Sequence, residues 1–390
     1  MRLAILQQSY GRFGGAERLA LSHYIEMRRR GTDVTFYYQG TIPPEWEKRL
    51  ENERIRTIPS GMVKSLPQAQ NLQRFLRELG QYDRILIHHH VEPLLAYYVS
   101  KLFGRITTWY SGGGLFDLSF STGRDYRSLS PTLPTTAGGF YGQVLSRFIQ
   151  YDSFYKVSKT VLYAFDVSTV RSFGKIIANS IFTARSLVRG YRLRSKPNVV
   201  YPAADPLLED LASENSSSES DYMLAVGALT PQKNLETLIH AASNVPTIKL
   251  TFVGNGHEEQ NLLDLARKLQ VPLVIKEDLD VTALASDYGG CKLLLQPAIY
   301  EPFGLTPIEA GLFSKPSIVT NRGGPCETVL DGETGFVTDP FDRKNISKLM
   351  QLLLFDDGLR QEMGRKARDF VRRRFSIERS TKDLLAILEQ

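Results

Sequence analysis

Cysteine is nearly missing from this 390-residue chain. Cys291 and Cys326 are the only two, too few for a disulfide framework or a cysteine zinc site, so a reducing compartment is expected. Long apolar runs are missing as well. The opening stretch Met1 to Leu6 turns polar at Gln7, which is too short for the apolar segment of a secretory signal. No later stretch reaches the length of a membrane span, so a cytoplasmic protein with no threaded segment is expected. The full dinucleotide fingerprint G-x-G-x-x-G does not follow the first strand. What remains is an ordinary globular composition, 42% hydrophobic, 10% aromatic and 23% charged, which excludes a disordered or collagen-like chain. Its length favours two domains, and two domains imply an interdomain cleft.

The net charge of +6 hides an asymmetry. Residues 1–200 hold 28 Lys and Arg against 14 Asp and Glu, whereas residues 201–390 hold 20 against 28. A basic first half suits an anionic partner such as a phosphorylated substrate or an acidic bilayer surface, or simply makes a solvated basic face. A nucleic acid is not expected, because no recognised binding module accompanies the charge.

Period and punctuation read as alternating strands and helices. Apolar runs at Arg2 to Leu6, Val34 to Tyr38, Arg84 to Ile87, Ile106 to Tyr110 and Lys175 to Ala178 alternate with helical patterns at Ala16 to Arg30, Gln68 to Leu79 and Glu92 to Leu102. A Gly-, Ser-, Thr- and Pro-rich stretch from Ser111 to Phe140, carrying Arg124 and Arg127, reads as a long loop. The polar run Ser213 to Ser220 reads as a linker. Strands then resume at Tyr222 to Val226, Ile248 to Val253, Leu273 to Lys276, Lys292 to Gln296 and Ser317 to Thr320. Helices are expected to start near Asn234, His257, Val281, Leu305 and Arg343. Gly358 to Arg374 and Ile377 to Leu388 read as two closing helices with no strand between them. The fold class is therefore α/β, with two Rossmann-like units in tandem.

In open parallel sheets, ligands collect beyond the carboxyl ends of strands, where helix N-termini offer free amides. Gly14 and Gly15, between the first strand and first helix, let backbone approach an anion without a side chain in the way. Gly254-Asn255-Gly256 closes a second-half strand in the same way. Such glycines are often no more than tight turns. Richer is the segment Glu301 to Ala310, in which Glu301 and Glu309 stand eight positions apart across the start of a helix near Gly304. Eight positions is a little over two turns, so Glu301 lies in the loop and Glu309 on the second turn. The amides of Gly304, Leu305 and Thr306 then fall between two carboxylates. Carboxylates accept from sugar and ribose hydroxyls while a helix N-terminus receives a diphosphate, so the arrangement suits a sugar nucleotide.

The segments Gly14 to Arg18, Ala178-Asn179-Ser180, Tyr201 to Asp205, Val226-Gly227 to Lys233-Asn234, Val253 to Gly256, and Glu301 to Glu309 with Gly323-Gly324 and Thr334-Gly335-Phe336 resemble the family 4 glycosyltransferases, in the family's order over nearly the whole chain. The resemblance implies a GT-B architecture of two facing Rossmann-like domains with a deep interdomain cleft. Residues 1–203 would bind the acceptor, 204–374 the nucleotide sugar, and 375–390 would return as a helix to the N-terminal domain. It also implies a metal-independent, retaining transfer from a nucleotide sugar to a glycan or lipid-linked hydroxyl, with no cofactor. Glu301 would contact the donor sugar and Glu309 the ribose, and Lys233 would hold the diphosphate. Phe303, Gly304, Leu305 and Thr306 would complete the donor site. Gly14 and Gly15 would close over the acceptor, with Gly15 also near the β-phosphate. The Gly14 to Arg18 and Tyr201 to Asp205 segments lean toward mannosyltransferases using GDP-mannose, with UDP-sugars close behind.

Two departures from the family pattern stand out. Ala228 occupies a position where many relatives carry arginine, leaving Lys233 as the only cation of the usual pair. Where relatives often place a first-domain histidine this chain reads Thr107 to Tyr110, so Tyr110 or a neighbour replaces it, with His88-His89-His90 as an alternative. Asp278-Leu279-Asp280 matches a metal-binding D-x-D pattern, but a solvated turn is preferred and no metal is expected. A nucleotide-sugar epimerase or a silent nucleotide-sugar binder are the alternative functions. Arg28-Arg29-Arg30 ending the first helix, with Arg124 and Arg127, points to peripheral contact with an anionic membrane face.

Overall fold

The computed structural model describes residues 1–9, 14–50, 55–59, 65–89, 91–112, 164–214, 219–245, 249–277 and 280–390. It divides into two units. One comprises Met1–Asn179, Thr183–Val200 and Thr381–Gln390, the other Ser180–Phe182 and Tyr201–Ser380.

The first unit is built on a parallel sheet of seven strands: β1 (Arg2–Gln8), β2 (Asp33–Gln39), β3 (Ile55–Thr57), β4 (Arg84–His88), β5 (Thr107–Ser111), β6 (Lys175–Ala178) and β7 (Asn198–Val199), in the order β3-β2-β1-β4-β5-β6-β7. Leu3, Ala4, Ile5 and Leu6 in β1 are all fully buried. That is the signature of a strand covered on both faces by crossover helices, and it explains why the run is continuously apolar rather than alternating. The expected helices appear at Gly15–Arg29, Leu66–Leu79 and Pro93–Phe103. Arg84 Nε and Lys175 Nζ donate to the carbonyls of Leu388 and Ile387 at 2.7 and 2.6 Å, closing the C-terminal end of the Ile377–Leu388 helix with cations.

The second unit repeats the scheme with β8 (Tyr222–Val226), β9 (Lys249–Val253), β10 (Leu273–Lys276), β11 (Leu293–Gln296), β12 (Ser317–Thr320) and β13 (Gly335–Thr338), ordered β10-β9-β8-β11-β12-β13. Both sheets reverse direction of travel beside their first strand, between β1 and β4 and between β8 and β11. In doubly wound folds that is where ligands bind. Ile308, Ala310 and Leu312 anchor the Leu305–Leu312 helix in a core shared with Val371 and Phe375. Each buried aliphatic side chain of leucine size contributes about 1.5–3 kcal/mol to holding that helix in place.

Three strands escape the sequence reading. β3 and β7 have three and two residues, and β13 overlaps the Thr334-Gly335-Phe336 motif. The Ser213 to Ser220 run begins inside the Pro206–Glu214 helix rather than after it. Glu219 near its end pairs with Lys315 at 3.0 Å and with the buried Arg360 at 2.8 Å, so this part of the run is structural and lies within the second unit. Arg124, Arg127 and the Ser111 to Phe140 loop beyond Gly112 lie outside the described residues. No helix among the described residues is long and apolar enough to cross a membrane.

Candidate functional site

The second unit brings Lys233 and Glu301 together beyond the carboxyl ends of β8 and β11. Gly227 follows β8 and Gly254 follows β9. A Cβ on Gly254, whose φ is +144°, would lie 2.0 Å from the Gly227 carbonyl oxygen, so only glycine lets these strand ends meet. The chain then makes the single turn Pro231–Lys233 and passes through Asn234 in the left-handed region (φ 54°). Asn234 Nδ2 donates to the carbonyls of Pro297 and Pro340 at 3.1 and 2.9 Å, and its Oδ1 accepts from Thr237 Oγ1 at 3.0 Å. The Ile299 N–H donates to the Gln232 carbonyl at 2.9 Å, and Gln232 Nε2 donates to the Tyr300 carbonyl at 3.2 Å. The turn carrying Lys233 and the loop carrying Glu301 are thereby tied together by backbone. Glu301 also bridges Gly323, and the Gly324 N–H donates to its carbonyl at 2.9 Å.

Those ties bring Lys233 Nζ to 2.5 Å from Glu301 Oε2, with the two side chains 29% and 15% exposed. The pair is reachable from solvent yet partly desolvated, which strengthens its field relative to a surface pair. Beside it begins the Leu305–Leu312 helix, capped by Gly304 at φ +96°, with no side chain capping its N-terminus. Leu305 and Thr306 occupy the first two helical positions, whose N–H groups have no intrahelical acceptor, and Pro307 in the third has no N–H at all. An anion would meet two amides and an ammonium here.

The remaining donor-site candidates are placed differently. Phe303 is 2% exposed, its ring 5.7 Å from Phe375 and 6.1 Å from Tyr201, so its side chain is core. Glu309 is also 2% exposed and accepts from the Tyr288 hydroxyl at 2.7 Å. Glu301 and Glu309 thus differ in environment, one at a partly open ion pair and one in the interior of the second unit.

Gln296 and Glu327 in this neighbourhood carry no sequence signal of their own. Asn234 was visible only as a motif letter. Gln296, at the end of β11, donates from Nε2 to Thr306 Oγ1 at 3.2 Å. Glu327 accepts from the Ile181 and Phe182 N–H groups at 2.9 Å each and from the Tyr201 hydroxyl at 2.8 Å. Ser180 Oγ donates to the Pro302 carbonyl at 2.6 Å, next to Glu301. The Ser180 and Tyr201 motif positions are thus linked directly to the site's loops.

In the first unit Gly14 caps the Gly15–Arg29 helix, and its N–H donates to Glu17 Oε2 at 3.0 Å. At the ends of β4 and β5 lie buried polar groups. His23 Nδ1 and His88 Nε2 are 2.9 Å apart, and burial pushes the His23 imidazolium down to about 3, so this ring is neutral at physiological pH. His89 has a φ of 58°. Tyr110 is fully buried and donates its hydroxyl to the Val200 carbonyl at 3.0 Å. His90, Asp278 and Leu279 lie outside the described residues. Asp280 accepts from the Ala283 N–H at 2.7 Å as the cap of the Val281–Gly290 helix. Among the described residues no group of three or more His, Cys, Asp or Glu is placed to hold a metal ion.

Comparison with known proteins gives this geometry a context. Residues 208–370 match the model of Glycosyl transferases group 1, and residues 13–206 that of Glycosyltransferase Family 4. The chain is 32% identical over 184 residues to alpha-1,3/1,6-mannosyltransferase alg-2 of Neurospora crassa, covering 45% of this chain and 34% of that protein. It is 32% identical over 152 residues to glycogen synthase of Mycobacterium tuberculosis, covering 37% of each. The chain thus spans little more than a third of the length of these relatives. In fold it is similar to Anabaena HepE, whose crystal structure is in complex with UDP and glucose. The TM-score is 0.73 at 17% identity, covering 100% of this chain and 99% of that one. With one model matching each half, and with two parallel sheets ordered alike, the chain belongs to the family 4, group 1 glycosyltransferases and has their GT-B fold.

Proposed function

We propose that this protein is a retaining glycosyltransferase that moves a hexose from a nucleotide sugar to a hydroxyl of a glycan or lipid-linked acceptor. The observation that carries this reading is the Lys233–Glu301 pair, 2.5 Å apart beside an uncapped helix N-terminus. A nucleotide sugar supplies a partner for each half of that pair. The diphosphate takes the ammonium and the amides of Leu305 and Thr306, while sugar hydroxyls donate to the Glu301 carboxylate. As the anomeric bond breaks, negative charge grows on the departing diphosphate, and Lys233 is held where that charge appears. Stabilising the transition state more than the ground state is what lowers a barrier.

In this proposal the acceptor hydroxyl attacks from the face that the diphosphate leaves. The new carbon–oxygen bond forms as the old one breaks, and the hydroxyl proton passes to a phosphate oxygen. Neither a protein nucleophile nor a metal is required. Glu309 lies enclosed against the Tyr288 hydroxyl, so a ribose would reach its carboxylate only if that cover moved aside on binding. The first unit takes the acceptor through Gly14 and Gly15, and contact with the cytoplasmic face of an anionic membrane fits its basic composition.

GDP-mannose is the favoured donor, a reading that the likeness to an alg-2 mannosyltransferase supports. A UDP-sugar is the second reading, because the structural neighbour HepE is described with UDP and glucose. The test is nucleoside diphosphate release from a panel of nucleotide sugars, with and without lipid-linked acceptors and with a chelator. Acceptor-dependent release that survives the chelator is expected. Conversion of the sugar without an acceptor would identify an epimerase, and donor binding without turnover a silent binder. A glycosyl group trapped on a carboxylate would overturn the one-step course.

A further inference from the structure

Gln296 is a buried polar side chain at this site to which the reaction above gives no task. It ends β11, at the switch point of the second sheet, and is 6% exposed. Its Nε2 donates to Thr306 Oγ1 at 3.2 Å, whereas its Oε1 is buried with no hydrogen-bond partner among the described residues. A Cβ on Gly304 would lie 3.4 and 3.5 Å from the two amide atoms, so the amide lies directly against the cap of the Leu305–Leu312 helix.

Such an amide is a poor choice for folding alone. A buried acceptor left unmatched destabilises the native state, and methionine would fill nearly the same volume with no polar atom to satisfy. Its value lies in what it does to Thr306. A hydroxyl has one proton and two lone pairs. Once the Gln296 N–H occupies one lone pair, the Thr306 proton cannot point back at that donor and must turn elsewhere.

We infer that Gln296 is a positioning residue for nucleoside diphosphate binding. By donating to Thr306 Oγ1, it turns the Thr306 hydroxyl into an outward donor beside the Leu305 and Thr306 amides. The helix start then offers a diphosphate three neutral donors, with Lys233 supplying the charge. This inference rests on the donor reading proposed above and extends it to a residue that touches no ligand itself. An acceptor at position 296 would reverse the hydroxyl, drawing its proton inward and presenting lone pairs to the phosphate.

Calorimetric titration of UDP and GDP, with uridine and guanosine as controls, tests this on the wild type, Gln296→Met, Gln296→Glu, Thr306→Val, Thr306→Ser and the Gln296→Met/Thr306→Val pair. Thermal melting establishes which variants fold. Thr306→Val should weaken the tighter-binding diphosphate about tenfold, as expected for the loss of one hydrogen bond to a charged group, and Gln296→Met, which leaves the hydroxyl present but free to rotate, by a smaller factor of about two to three. Gln296→Glu should weaken it further. The double variant should bind no worse than Thr306→Val alone, since Gln296 acts only through the Thr306 hydroxyl. Thr306→Ser should restore wild-type affinity, and nucleoside affinities should stay level throughout. Unchanged diphosphate affinity in Gln296→Met, an equal loss for the nucleosides, or additive losses in the double variant would overturn the inference while leaving the donor reading intact. A wild-type protein that binds neither diphosphate overturns that reading and this one with it.

Discussion

The two parallel sheets share a strand order but present different chemistry at their switch points. In the second unit, glycines follow β8 and β9, and the segments beyond β8 and β11 carry a lysine and a glutamate 2.5 Å apart. In the first, the strand ends carry Gln7, Gln8, His88 and Tyr110, all buried, with His23 behind them held neutral by burial. The same backbone plan thus serves a charged, partly open site in one unit and, among the described residues, a layer of buried polar side chains in the other. The fold fixes where a ligand can sit, while the side chains at the strand ends decide what kind of ligand it is.

The sharpest way to break this contrast is to remove the charge from the second unit. Lys233→Ala should lower kcat/KM by about 10²–10³, the usual loss for one preorganised group facing developing charge, in a steady-state assay of nucleotide release. A loss confined to KM would mean that Lys233 binds the ground state and transition state alike.

The corresponding test in the first unit is acid. His23 has its folded value pushed down to about 3, below its ordinary 6.5, so the unfolded chain binds the proton first as pH falls. Its neutral burial therefore contributes full stability above about pH 6.5, and that contribution is lost progressively down to about pH 3, amounting to about 2 kcal/mol by pH 5. Urea unfolding at pH 7 and pH 5 should show a drop in the wild type that is shallower by about that amount in His23→Phe. Equal slopes in both proteins would remove His23 from the account.

Smaller effects refine the donor side. Gly304→Ala forces a side chain onto a backbone at φ +96°, with a Cβ 3.2 Å from Pro325 Cγ. A cost of about 1–2 kcal/mol is expected in chemical denaturation, with weaker nucleotide binding because the helix start shifts. Tyr288→Phe leaves Glu309 without the 2.7 Å hydroxyl bond in the interior. A loss of about 1 kcal/mol is expected, visible as a lowered melting temperature, and a variant as stable as the wild type would show that Glu309 is held by other contacts.

Most of the architecture was legible in the chain because strands covered on both faces are continuous apolar runs. Tyr222 to Val226 and Ser317 to Thr320 appear in the structure with the expected bounds, as does the Ile377–Leu388 helix. β3 and β7 were not legible, since two or three residues are too few to show a period. Within the site, Lys233 and Glu301 were legible by their motif, and the structure joins them in one ion pair. Glu309 looked from its spacing like an open carboxylate. The structure encloses it at 2% exposure against the Tyr288 hydroxyl, whose ring stacks on Phe313.

By itself, the order of residues determined the alternating strands and helices, the uncapped helix start after Gly304 and the supply of charge near it. These follow from local sterics and from which side chains water rejects. Tertiary structure alone decided that Asn234 would tie the Lys233 turn to Pro297 and Pro340, that Glu327 would receive the Ile181 and Phe182 amides, and that Gln296 would meet Thr306. A polar side chain can bond to many partners of equal chemistry. Which one it meets is set by the strand order that brings distant segments within 3 Å, and no local pattern encodes that distance.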